Sequence, residues 1–204
     1  MRERLRLLLL RHGTAVTGSA DPGLSAEGRS GVEATLRHPR LADWSRLDLL
    51  LHSPLRRAVE TAELVAARLA PIRVRAAPEF LPEADAAAAS RLLIRSLAGP
   101  DTHAAPDIHV VPKTHKAEVP DTHQAEVPDT HGIPNEVPDT HAHLPATRVC
   151  VVAHLPLLPA LCRWLCDADL DFATGCGWVL GGDPALAWQG TFSTIGPVDH
   201  GGMW

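Results

Sequence analysis

The sequence predicts an α/β fold: a single three-layer domain with a mostly parallel central sheet flanked by helices. Short apolar runs rich in Leu and Val alternate along the chain with segments whose apolar residues recur at helical spacing, and this alternation implies a sheet covered on both faces. Two of the runs, 7–10 (LLLL) and 149–153 (VCVVA), lead directly into Arg11-His12-Gly13 and into His154, which delivers two imidazoles to one edge of one sheet. That edge is where ligands bind in open α/β folds. At 204 residues, with 45% hydrophobic and 21% charged side chains, the chain is long enough for one core and too short for two large ones.

Residues 5–10 form the first predicted strand. Ser25 is placed to cap a helix running to about His38, with Glu27 in its first turn, where a carboxylate complements the helix dipole. Residues 47–51 are a second apolar strand. Ser53 then caps a helix whose first position is Pro54, a favoured place for proline, and Ala58, Ala62, Val65 and Leu69 make its buried stripe. A short strand is expected at 72–76 and a helix at 86–97. After a different kind of segment come a strand at 148–153, a helix from about Pro156 to Cys166, and two hydrophobic stretches, 177–180 and 185–192, that read as a closing hairpin.

The intervening residues, 100–146, differ in composition. From Val111 to His143 they read VPKTHKAE, VPDTHQAE, VPDTHGIPNE, VPDTHAH, a near-tandem repeat with proline in every unit and almost no large apolar group. Proline at this density removes backbone donors and disfavours helix in the residue before it, so a flexible Pro/His-rich insert is predicted. The expected organisation is one domain made of 1–99 and 147–204, interrupted in a helix-to-strand connection. Lengthening a surface loop costs only about 0.6 kcal/mol per doubling, which leaves the fold intact.

Charge and cysteine usage narrow the function classes. A net charge of −5 argues against nucleic acid as the main partner. The insert holds eight acids against two lysines, and the flanks carry arginine as their only long cation. No apolar run approaches the roughly 18 residues of a membrane span. The N-terminal run is broken by Arg2, Glu3, Arg4 and Arg6, so neither a membrane partner nor a signal peptide is expected, and the protein reads as cytoplasmic. The four cysteines, Cys150, Cys162, Cys166 and Cys176, lack C-x-x-C pairs and read as reduced, mostly buried small hydrophobes.

Candidate chemistry gathers at the ends of the strands. Phosphoryl transfer needs a nucleophile in line with a leaving group and fixed cations around the equatorial oxygens. Arg11 and His12 follow the first strand, and His154 ends a later one. Arg57 lies in the first turn of the helix after 53–55 (SPL), where backbone N–H groups favour an anion.

In this order the motifs resemble the histidine phosphatase superfamily, also called the phosphoglycerate-mutase-like family, and within it the phosphohistidine phosphatases of the SixA type. The first motif is LLLLRHGTA (7–15), the second HSPLRRAVETAEL (52–64) and the third VCVVAHLPLL (149–158); FATG at 172–175 and the stretch ending near Trp188-Gln189-Gly190 look like the tail of such chains. The likeness spans about residues 5–99 and 147–197. It implies a phosphoglycerate mutase-like fold and a hydrolase without cofactor or metal. It further implies that His12 is phosphorylated during turnover while Arg11, Arg57 and His154 form the phosphate pocket, and that the substrate is a phosphohistidine on a phosphotransfer or phosphocarrier protein.

Departures from that pattern bear on the substrate. Thr14 and 22–24 (PGL) stand where SixA-like chains often have an acidic residue and Arg-Pro-Leu. Mutases and many ester phosphatases of the superfamily use a glutamate after the second motif as proton donor, in a stretch leading to Gly-x-Trp-Glu-Gly. Here 81–83 (LPE) is followed by alanines, and Glu83 is the candidate donor or else a surface carboxylate leading into a helix. An imidazole leaving group, with a reference pKa near 6.5, departs at neutral pH with less need of a protein acid than an alkoxide. Two other readings stand beside this one. The first is a small-molecule phosphomonoesterase using Glu83. The second is a metal-binding protein gathering ions through His103, His109, His115, His123, His131, His141 and His143.

Overall fold

The computed structural model describes residues 5–97, 146–182 and 192–200. The repeat insert therefore lies outside the described residues apart from Ala146, as do its seven histidines and the stretch 183–191.

The elements follow in the order β1 (Leu5–Arg11), α1 (Ala26–Leu36), a 3-10 turn (Pro39–Leu41), β2 (Leu49–His52), α2 (Arg56–Leu69) and β3 (Arg73–Ala76). A second 3-10 turn (Pro78–Phe80) leads into α3 (Ala86–Leu97), and β4 (Thr147–Ala153), α4 (Leu157–Cys166), β5 (Gly177–Gly182) and β6 (Ser193–Val198) complete the fold. The sheet order is β3-β2-β4-β1-β5-β6. The first four strands in that order are parallel, and β5 and β6 add an antiparallel margin. The predicted mostly parallel α/β sheet is thus present.

Pleating divides the strands between two apolar layers. Leu7, Leu9, Leu51, Val149 and Val151 pack with Leu92 and Leu93 of α3 and Leu158 and Leu161 of α4. Leu8, Leu10, Leu50, Cys150 and Val152 pack on the other side with Val32 and Leu36 of α1 and Ala58, Ala62 and Val65 of α2. Burial on both faces is why β1 and β4 read as unbroken apolar runs. From β1 the chain crosses to β2 on one flank, and from β4 it crosses to β5 on the other. The carboxyl ends of β1 and β4 therefore form a topological switch point, the place where open α/β sheets bind ligands.

Two helix boundaries differ from expectation. Helix α2 begins at Arg56 with Leu55 as its cap residue in extended conformation, so Pro54 precedes the helix. The Ser53 hydroxyl accepts only the Leu55 N–H, at 3.3 Å. Strand β3 exposes all four of its residues, as an edge strand does. The expected second arm of the hairpin, 185–192, lies outside the described residues apart from Phe192, and the described strand that pairs with β5 is Ser193–Val198; Pro197 fits there because an edge strand has no partner waiting for its N–H. Helix α1 ends at Leu36, although its Ser25 cap accepts the Gly28 N–H as predicted.

Among the described residues the cysteines are free, with Cys150, Cys162 and Cys176 buried and Cys166 half-buried. No helix among those residues is long and apolar enough to cross a membrane.

Candidate active site

His12 stands one residue past β1, and its backbone is held from both sides. Its N–H continues the ladder to Ala153 O at 3.2 Å, and its C=O accepts the Gly175 N–H at 2.9 Å. The first bond keeps His12 level with the end of β4, where His154 follows. The two imidazoles meet with ring centroids 4.8 Å apart and planes tilted by 51°.

Hydrogen-bond partners fix the protonation pattern of the His12 ring. Nδ1 lies 2.7 Å from Gly13 O, a group that only accepts, so Nδ1 carries the proton. Arg57 Nε, which only donates, reaches His12 Nε2 at 3.3 Å. The ring is therefore neutral, with its lone pair on Nε2. Burial, together with the charges of Arg57 and Arg11, lowers the His12 pKa to about 4 against a partial counter-effect from the Gly13 bond.

His154 is 1% exposed, and neither ring nitrogen has a hydrogen-bond partner among the described residues. Buried polar groups left in this condition are costly, which marks the ring as built to meet something else. Burial first, then His12, Arg57 and Arg11, lowers its pKa to about 3. In the free protein the ring is therefore neutral at pH 7, and charge on it requires an anion alongside.

Arg11 donates Nη1–H to Phe172 O at 2.8 Å, which ties it to the loop before β5. Arg57 is the second residue of α2. The N-terminus of that helix holds a carboxylate of the protein itself: both Asp21 oxygens accept the Arg56 N–H, at 3.0 and 3.1 Å, and Asp21 Oδ1 lies 4.0 Å from Arg57 Nη1. Asp21 was not singled out from sequence, because its partner is 35 positions away. The loop carrying it is secured by Glu60, which accepts the Leu24 N–H at 2.8 Å and pairs with Arg56 and Arg29. Gly13 and Gly28 allow this loop to press onto α1; a Cβ at Gly13 would lie 2.6 Å from Gly28 O.

The structure thus brings together His12, Arg11, Arg57 and His154. Glu83 is apart from them in bonding: it is exposed on the turn before α3, and no hydrogen bond or ion pair joins it to the four. Glu79, in the 3-10 turn after β3, was missed; it is half-buried and its Oε2 is buried without a partner. Among the described residues no group of three or more His, Cys, Asp or Glu is arranged to hold a metal ion. Two arginines, the His12 lone pair and an unpartnered buried imidazole make a site rich in hydrogen-bond donors. Such a site suits an oxyanion and puts a nucleophile beside it.

Comparison with known proteins gives the following. The family model of the histidine phosphatase superfamily (branch 1) matches residues 7–119. No curated protein matches the sequence. The fold is similar to that of the protein histidine phosphatase SixA complexed with tungstate, with a TM-score of 0.65 at 18% identity, over 96% of this chain and 97% of that one. It is similar also to mycobacterial hydrolase 1 (TM-score 0.58, 18% identity, 95% and 97% covered). A third similar structure is the mycobacterial glucosyl-3-phosphoglycerate phosphatase complexed with VO3 (0.57, 18%, 94% and 97%). At these identities the likeness is one of fold.

Proposed function

This chain belongs to the histidine phosphatase superfamily, and on that premise we propose that it is a phosphatase hydrolysing protein-bound phosphohistidine through a phospho-His12 intermediate. The observation that carries the reading is the facing pair: a neutral His12 whose Nε2 lone pair is aimed at Arg57, beside a buried His154 with both nitrogens unpartnered.

The entering phosphoryl group takes the hydrogen bonds of Arg57 and Arg11, which frees Nε2. His12 Nε2 attacks phosphorus while the P–N bond to the substrate imidazole breaks. Positive charge developing on His12 is stabilised through Nδ1–H to Gly13 O. With a proton on its far nitrogen the substrate ring leaves as neutral imidazole, so no protein acid has to touch the leaving atom. Water then attacks phosphorus, the P–Nε2 bond breaks, and inorganic phosphate is released with His12 restored. His154 joins as a donor once the bound anion has raised its proton affinity.

The substrate in this reading is a phosphotransfer or phosphocarrier protein, and the setting is the cytoplasm where such a partner is reached. Residues 1–99 and 147–204 constitute the catalytic domain, and 100–146 is an insert outside the chemistry.

A small-molecule ester phosphatase is the second reading, favoured by Glu79 and Glu83, two carboxylates that follow the carboxyl end of β3 and are candidates for protonating an alkoxide. The deciding experiment follows phosphate release from a phosphohistidine-bearing phosphotransfer protein and from a panel of phosphate esters. Release from the phosphoprotein should far exceed release from any ester, and His12→Ala should lower it at least about 10³-fold. Faster release from an ester, with a large loss in Glu83→Gln or Glu79→Gln, would move the assignment to the second reading.

A further inference from the structure

Four hydrogen bonds in the site form a closed circuit that runs through a residue with no place in the chemistry above. His12 Nδ1–H donates to Gly13 O at 2.7 Å. The Gly13 N–H donates to Thr61 Oγ1 at 3.2 Å, and the Thr61 hydroxyl donates to Arg57 O at 2.8 Å. Arg57 Nε–H returns to His12 Nε2 at 3.3 Å. Thr61 is fully buried, four residues after Arg57 on the same face of α2.

We propose that Thr61 is a positioning residue that locks the His12 ring to the Arg57 clamp through this circuit. The inference rests on the phosphatase reading for its kinetic consequence. The hydroxyl uses both of its capacities, one lone pair on the nucleophile's loop and its proton on the helix that carries the cation. No other side-chain bond among the described residues joins Gly13 to α2. Without it the Gly13 N–H is left buried and unpaired, and Gly13, whose C=O anchors Nδ1, loses its side-chain tie to α2. Both the tautomer of His12 and the separation of Nε2 from Arg57 then lose their constraint. Steric bulk at position 61 is secondary, so Thr61→Val, which keeps the shape and removes the hydroxyl, is the informative change, and Thr61→Ser keeps the hydroxyl.

Two readouts separate this inference from the functional reading. The first is steady-state kinetics on p-nitrophenyl phosphate and on a phosphohistidine-bearing phosphotransfer protein. Thr61→Val should lower kcat by about 10- to 100-fold, the range of a misplaced catalytic group, with KM within about threefold, whereas Thr61→Ser should recover most of kcat. The second is 15N NMR of the histidine side chains, which reads the tautomer without any turnover. Wild type and Thr61→Ser should show His12 as the Nδ1–H form, and Thr61→Val a mixture. Thr61→Ala serves in the same way where Thr61→Val does not fold. A Thr61→Val protein with wild-type kcat and an unchanged His12 tautomer overturns the proposal. Absence of activity in wild type together with a changed tautomer in the variant overturns the phosphatase reading and keeps the circuit.

Discussion

The two edges of the sheet both carry arginines on or beside β1, and they treat them in opposite ways. At the amino-terminal edge Arg6 and Arg148 face each other in register on β1 and β4. Arg6 pairs with Asp43, donates to Arg40 O and lies over the Trp44 ring, while Arg148 comes within 3.9 Å of the same Asp43. At the carboxyl edge Arg11 has no ion pair among the described residues, and Arg57 grazes Asp21 at 4.0 Å while spending Nε on a neutral histidine. One edge has its charges compensated. The other holds cationic donors open beside an imidazole lone pair, and that difference in compensation, more than the presence of arginine, distinguishes the edge proposed as the active site.

The largest expected effect breaks the comparison at its open edge. Arg57→Ala removes a donor from the developing charge and should lower kcat by about two to three orders of magnitude. The side-chain contacts of Arg57 are a 3.3 Å bond to a neutral ring and a 4.0 Å approach to Asp21, so the urea midpoint should stay close to wild type. Phosphate release and equilibrium unfolding on the same preparation measure both. A rate within threefold of wild type would sink the assigned role of Arg57.

Much of this contrast could be read from sequence, and the reason it stops where it does is physical. The apolar runs of β1 and β4, the residues that end them and helix α3 are local patterns, and the structure reproduces them almost to the residue. Arg6 and Arg11, however, look alike in sequence, since their meaning depends on Asp43 and Phe172, which come from distant parts of the chain. The start of α2 escaped for the same reason: Ser53-Pro54 resembles a cap, yet the carboxylate that satisfies the Arg56 N–H is Asp21. Strand β6 was missed because Gly196 and Pro197 break a strand pattern that only an edge position tolerates. Thr61 did leave a signal, its spacing of four from Arg57, but its acceptor role toward Gly13 needs the fold.

A smaller effect sharpens what openness means. Burial and neighbouring cations hold His12 near 4 and His154 near 3, so both rings are neutral at pH 7. An anion beside them raises their proton affinity, and binding then takes up protons. Sulfate, whose charge is constant over the range, should bind more tightly as the pH falls from 7 to 5, by up to about tenfold per unit for each proton taken up. His154→Asn should flatten the slope. A slope of zero in wild type, measured by titration calorimetry, would show that neither ring answers the anion. The same lowered values oppose folding at acid pH. Between about 6.5 and 4 the unfolded chain binds protons that the folded rings refuse, so stability falls as pH is lowered through that window.

The smallest effect tests the compensated edge. Arg6→Ala removes the guanidinium from Asp43, which is largely exposed, and an ion pair of that kind contributes little on its own. What remains is the stacking on Trp44, the bond to Arg40 O and the covering of a fully buried indole, together about 1 to 2 kcal/mol. The urea midpoint should therefore drop while kcat and KM stay within twofold of wild type, the inverse of Arg57→Ala. If Arg6→Ala instead slowed phosphate release as much as Arg57→Ala, strain would pass along β1 from one edge to the other. The distinction between a compensated and an open edge would then no longer separate stability from chemistry in this fold.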